Sequence, residues 1–270
     1  MSDYILREYR PEDGPALLAL WRQTFGDPEP LINAFLSSLP EIGLGAVAEY
    51  EGQAVGAAYS IDSLGLCSAG SFLRCGYIYA VAVSPLHRHK GLGAGLSQLA
   101  AALSRQRGAE FICTLPAEAG LYPWYEAILG LKAALYRRVY TVFPRALFPC
   151  EAIGAAEYLS RRETLLASAP HLRLSPALMA FAETFFRSFG GGLYSCPGGL
   201  CAAYIDGQRL VIRELIAASG YEPGDAAASL CAALGCESAL YYLPAADGDA
   251  YISAEPGRIP AGCVWNFSFD

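Results

Sequence analysis

The chain has 270 residues, 54% of them hydrophobic and 17% charged, which excludes a disordered polymer and allows one large domain or two modest ones, each with its own core. A net charge of −7 argues against a general nucleic-acid binder, which needs a basic face. No apolar run reaches the roughly 18 residues that cross a bilayer, and the first eight residues lack a signal-peptide pattern, so a soluble, cytoplasmic protein is expected.

In chain order, residues 5–9 alternate like a strand, and Arg10-Pro11-Glu12-Asp13 opens a helix with the apolar stripe Leu17, Leu20, Trp21 and Phe25. Gly26-Asp27-Pro28 breaks it, and Leu31, Phe35 and Leu39 mark a second helix. Strands at 44–50 and 54–61 flank the turn Glu51-Gly52-Gln53, and a small, polar stretch around 63–71 follows. Residues 77–83, Tyr-Ile-Tyr-Ala-Val-Ala-Val, are the most β-like run and stop at Ser84-Pro85. Past a glycine-rich loop, Leu96, Leu99, Ala100 and Leu103 share a helix face. A buried strand at 111–115, a short helix at 122–129 capped by Gly130 and a strand at 136–143 close this part, a mixed α/β layer expected to span residues 1–145.

A second, smaller domain is expected over residues 146–270. It reads as helices at 152–166 and 176–189 around an extended piece at 171–174, then a hairpin, 198–205 and 209–217, turning at Asp206-Gly207-Gln208. A helix at 225–234 and a strand at 239–244 follow, and this helix–strand pair looks like a decayed repeat of the one at 99–117. Glu214, set in the apolar run 210–216, suggests a buried partner or a pocket carboxylate, against the plainer reading of an edge-strand position. The nine cysteines are scattered singly, without a CxxC pair and with only three histidines beside them. No metal is expected, and the thiols, Cys75, Cys113 and Cys201 among them, read as reduced core residues.

The feature with chemical content is strand, Ser-Pro turn, Arg88-His89-Lys90-Gly91-Leu92-Gly93-Ala94-Gly95-Leu96, then helix. A helix's first N–H groups lack carbonyl partners and attract anions, glycines open the main chain to a diphosphate, and Arg88 and Lys90 add positive charge. No Gly-Lys-[Ser/Thr] closes the run, so it is not a P-loop. Leu96 replaces the third glycine of GxGxxG, and seven residues between Val83 and Gly91 are too many for that motif's tight turn. The bland alternative is that these glycines only let the helix pack closely on a sheet.

What fits is [Arg/Gln]-x-x-Gly-x-[Gly/Ala] after a Val-x-Val-x-Pro strand end, and over residues 5–143 the chain resembles the GNAT superfamily of N-acetyltransferases. The resemblance implies a GNAT-like acyl-CoA N-acyltransferase fold, with acetyl-CoA as co-substrate and a small-molecule or peptide amine as acceptor. It implies that amides around Arg88, His89, Lys90, Gly91, Leu92, Gly93 and Ala94 cradle the pyrophosphate, and that the main chain of Ala80, Val81, Ala82 and Val83 pairs with the pantetheine arm. By the same resemblance a main-chain N–H near Val81 serves the oxyanion and Tyr125 protonates the leaving thiolate. Tyr125 reads equally as a core aromatic, with Tyr122 close enough to be mistaken for it.

The strand carries no carboxylate, and Glu118 is the base best placed by sequence, although it also reads as a solvated loop residue. His87 and His89 read as residues on the phosphate side of the loop. In the second domain Tyr221-Glu222-Pro223-Gly224-Asp225 stands where the basic loop would be, and its acids would repel a pyrophosphate, so that domain resembles a degenerate second GNAT half. A non-catalytic acetyl-CoA sensor and a transferase for a longer acyl chain remain alternatives. The acceptor and the oligomeric state are not legible.

Overall fold

The computed structural model describes residues 4–265. Over these residues the chain divides into two compact units, the first made of residues 4–66, 70–134 and 252–259, the second of 67–69, 135–251 and 260–265. This differs from a single cut at 145/146: the boundary falls ten residues or so earlier, and a late segment of the chain belongs to the first unit.

The first unit opens with β1 (Tyr4–Glu8), a 3-10 turn, α1 (Gly14–Phe25) and α2 (Glu29–Ile42). The strands β2 (Gly43–Tyr50), β3 (Gln53–Ser68) and β4 (Ser71–Val83) lead to α3 (Leu92–Gln106), β5 (Phe111–Thr114) and α4 (Leu121–Leu129). The small, polar stretch at 63–71 is the end of β3, the turn Ala69-Gly70 and the start of β4. Gly65 permits this, because a β-carbon there would stand 2.6 Å from the carbonyl of Leu73. Ile78, Leu96, Ala100 and Ile112 belong to a core on one face of the sheet. Trp21 and Phe35 meet Tyr59 and Tyr79 on the other. Leu17, Leu20 and Trp21 are buried as their spacing predicts, but Phe25, on the last turn of α1, is 44% exposed.

The second unit begins within β6 (Lys132–Val142) and continues through β7 (Glu151–Ala152), α5 (Ala155–Leu166), β8 (His171–Leu174) and α6 (Pro176–Ser188). Then come β9 (Gly192–Cys196), β10 (Gly199–Asp206), β11 (Arg209–Ala217), α7 (Pro223–Ala233), β12 (Ser238–Pro244) and the start of β13 (Asp249–Ala254), whose residues 252–254 belong to the first unit. Its strands run in the order β6-β12-β11-β10-β9-β7. In the first unit the order is β1-β2-β3-β4-β5, and Ser253 and Ala254 of β13 pair antiparallel with Thr114 and Cys113 of β5. The first unit thus takes the last strand of its sheet from a distant part of the chain.

Candidate active site

Strands β4 and β5 run parallel from Cys75↔Phe111 to Ile78↔Thr114. There β5 ends while β4 continues through Val83, so residues 79–83 have outrun their partner and one edge of their main chain carries no β5 ladder. Two residues past the last pair, Ala80 has φ 47°, left-handed for a residue with a β-carbon, and the regular strand is broken where Ala80 passes to Val81. The sequence gives no sign of this strain.

The loop after β4 turns at Pro85, passes His89 in the left-handed region (φ 61°) and reaches Gly91, which caps α3 at φ 76°. Gly91 gives α3 no side-chain cap, and the first helical bond is Gly95 N–H to the Gly91 carbonyl, so the N–H groups of Leu92, Gly93 and Ala94 have no acceptor within the helix. The glycines separate by role. A β-carbon on Gly95 would lie 2.7 Å from Leu6 Cδ1, the end of a flexible side chain that would have to shift to admit it. One on Gly91 would meet nothing within 4 Å, and one on Gly93 only Trp124 at an ordinary 3.7 Å. Packing of this chain therefore does not demand glycine at 93, and the main chain it bares is open to an anion.

Around that helix start the cations are held in place. Arg88 folds back, its Nε donating to the Val83 carbonyl at 3.0 Å. Lys90 Nζ donates to the Tyr4 hydroxyl at 2.8 Å, and that oxygen is also 2.8 Å from His87 Nδ1. His87 thus anchors the loop to β1, while His89 and Lys90 are exposed.

Tyr125 is buried on α4 at 6% exposure, and its hydroxyl pairs with the side chain of Thr114. Thr114 in turn donates to the Ile78 carbonyl at 2.9 Å. The phenol is thereby anchored to the last pair before β4 and β5 part. Burial pushes it above the ordinary tyrosine range, against a smaller opposite effect of Thr114, so it keeps its proton at neutral pH. Glu118 stands exposed on the loop between β5 and α4. Asp27 accepts from Trp21 Nε1 at 2.7 Å and Glu29 pairs with Arg22, so both acids serve the α1–α2 region itself.

The second unit corrects one expectation. Glu214 lies on β11, an interior strand, at 0% exposure, and it binds Arg162 through Nε and Nη2 at 3.0 Å and accepts from Tyr158 at 3.0 Å. It is a buried partner, not an edge residue. Among the described residues no cluster of three or more metal-ligating side chains occurs, and no helix is long and apolar enough to cross a membrane.

Comparison with known proteins fits this geometry. Residues 6–127 match the acetyltransferase (GNAT) domain family. No curated protein sequence matches significantly. Among solved structures the chain is similar to a GCN5-related N-acetyltransferase from Kribbella flavida, with TM-score 0.67 and 17% identity over 93% of this chain and 71% of that one. A GCN5-related N-acetyltransferase from Anabaena variabilis gives TM-score 0.62 and 14% identity over 93% and 72%. Eis1 from Mycobacterium abscessus gives 0.59 and 15% over 92% and 72%. At these identities the likeness is one of fold.

Proposed function

We propose that this chain, whose residues 6–127 match the acetyltransferase (GNAT) domain family, is an N-acetyltransferase that moves an acetyl group from acetyl-CoA to a primary amine by direct attack. The observation that carries the reading is the set of features along β4: a ladder that ends at Ile78↔Thr114, the left-handed Ala80 beyond it, and a helix that starts on glycines packing does not require. These residues fit a pantetheine diphosphate, since the edge of Ala80, Val81 and Ala82 beyond the β5 ladder offers an extended arm main-chain partners, up to Val83, whose carbonyl accepts from Arg88. The N–H groups of Leu92, Gly93 and Ala94 suit its phosphates, with Gly91 bare beside them and Arg88, His89 and Lys90 alongside.

When bound, acetyl-CoA supplies an activated acyl group and a thiolate leaving group. The chain's own residues then have three tasks. The N–H at Val81, turned by the break at Ala80, donates to the oxygen that gains charge. Tyr125, protonated because it is buried, gives its proton to the departing sulfur. Glu118, exposed on its loop, takes the amine's proton through solvent. Incubating the protein with acetyl-CoA and a panel of amines, read by thiol release, tests the reading. Release with at least one amine is expected, whereas tight acetyl-CoA binding without transfer to any amine would make it a sensor.

A further inference from the structure

The second unit holds thiols that acyl transfer does not use. Glu151 and Ala152 of β7 pair antiparallel with Ser195 and Tyr194 of β9, and extending that register by one residue sets Cys150 opposite Cys196. Their Sγ atoms lie 2.6 Å apart, and Cys196 also bonds the side chain of Cys201. Cys150 is partly exposed, while Cys196 and Cys201 are buried.

We propose that Cys150 and Cys196 form a reversible oxidation site, closed to an intramolecular disulfide by a low-molecular-weight disulfide. Cys150, as thiolate, attacks one sulfur of the small disulfide, whose S–S bond breaks; the first small thiol leaves with the proton that Cys150 lost. Cys196 then loses its proton, attacks Cys150 Sγ and expels the second small thiol. Two protein thiols are oxidised by two electrons, and the small disulfide is reduced to two thiols.

Access selects this pair. Cys75 and Cys113 also bring their Sγ atoms to 3.1 Å, but both are fully buried and out of a reagent's reach. The bond to Cys196 and burial push the Cys150 thiol up, so exchange is slow at neutral pH and quickens as pH rises. The new bond would close the segment carrying α5, β8 and α6 and tie β7, at the end of its sheet, to β9.

The test treats the whole native chain with oxidised glutathione from about pH 7 to about pH 9, bracketing an ordinary thiol pKa, then alkylates free thiols and maps peptides without reduction. Two of the nine thiols should disappear into a Cys150–Cys196 link, faster at higher pH. Tm should rise by about 5 °C and fall back with dithiothreitol. Cys196→Ser should leave glutathione trapped on Cys150, and Cys150→Ser, at a partly exposed position, should leave the remaining thiols free with an unchanged circular dichroism spectrum. Glutathione persisting on Cys150 in the unmodified sequence, a link through Cys201 in place of Cys196, or nine free thiols at the highest pH would each overturn the proposal.

Discussion

Both units contain the same frame, a strand, a helix and a second strand parallel to the first: β4–α3–β5 in one and β11–α7–β12 in the other. In both, the parallel ladder stops early and an irregular residue follows, Ala80 after Ile78 and the bulge across Ala202/Ala203 beside Ile212. The helix starts differ. α3 begins on a bare left-handed glycine behind Arg88, His89 and Lys90, with open space where a side chain would be. α7 begins on Glu222 and Pro223 with Asp225 in its first turn, and the Tyr241 hydroxyl lies 3.2 Å from where a β-carbon on Gly224 would be. Two carboxylates and a phenol thus stand around that helix end. The frame sets where an anion site can form, and the residues at the helix start decide whether one does.

The largest expected effect breaks that contrast outright. Gly91→Asp puts a negative charge and a strained backbone at the helix start, and calorimetry should detect no acetyl-CoA binding, a loss beyond about 100-fold. Gly91→Asn, which tolerates the left-handed conformation, should bind markedly better than the aspartate variant, separating charge from strain. Arg88→Glu should also abolish binding, whereas Gly224→Asp should leave it unchanged, with one coenzyme A per chain. A stoichiometry near two would erase the distinction between the units.

Next comes the phenol at the end of the ladder. Tyr125→Phe keeps the ring and deletes the proton, so the single-turnover rate should fall by about 10²–10⁴-fold with acetyl-CoA affinity nearly unchanged. Tyr122→Phe, on the less buried side of α4, should stay within about twofold, well short of that acid-catalysis range. An unaltered rate for Tyr125→Phe would mean that the thiolate leaves unaided.

In the second unit the corresponding polar investment is sealed inside. Glu214→Gln removes the buried counter-charge of the Arg162 guanidinium, leaving it only the partly exposed Glu163, and should destabilise that unit by about 3 kcal/mol in denaturant titrations. Acetyl-CoA affinity of the folded fraction should not change. A loss near zero would show that water reaches Arg162.

Much of the first unit was legible because its signals are local. The glycine loop, the helix stripes with Leu17, Leu31 and Phe35, and the hairpin at Gly52 each depend on neighbours within a few residues. The 16-residue β3 was not, because Ser63, Gly65 and Ser68 have poor strand propensity and become strand only against β4. Nor was β13, a short strand whose partner β5 lies far back in the chain, nor the five-residue β9, although it forms a tight hairpin with β10. The site split the same way. Gly91 could be found from spacing, while the strain at Ala80 and the Tyr125–Thr114 contact exist only after folding. Glu214 was noticed as odd, but Arg162, 52 positions away, could not be paired with it from sequence.

The smallest expected effect concerns a polar pair in the first unit that is less sealed than the Arg162–Glu214 pair. Asp13 accepts two bonds from Arg7, at 2.8 and 2.7 Å, and one from the Arg10 N–H at 2.8 Å. Burial alone would raise its carboxyl, but the Arg7 bonds and the Arg10 N–H outweigh burial and hold it below the ordinary carboxylate range. A carboxyl whose folded pKa is depressed contributes stability that is fully present above its unfolded pKa, about 3.9, and lost as pH falls through the folded value. Asp13→Asn should therefore cost about 1 kcal/mol at neutral pH, and its Tm curve should converge on that of the unmodified chain in acid. Because Arg7 is 15% exposed, added salt should shrink the difference, whereas the Glu214→Gln deficit should barely respond. Equal salt sensitivity at the two sites would mean that the second unit's pair is as wet as the first's.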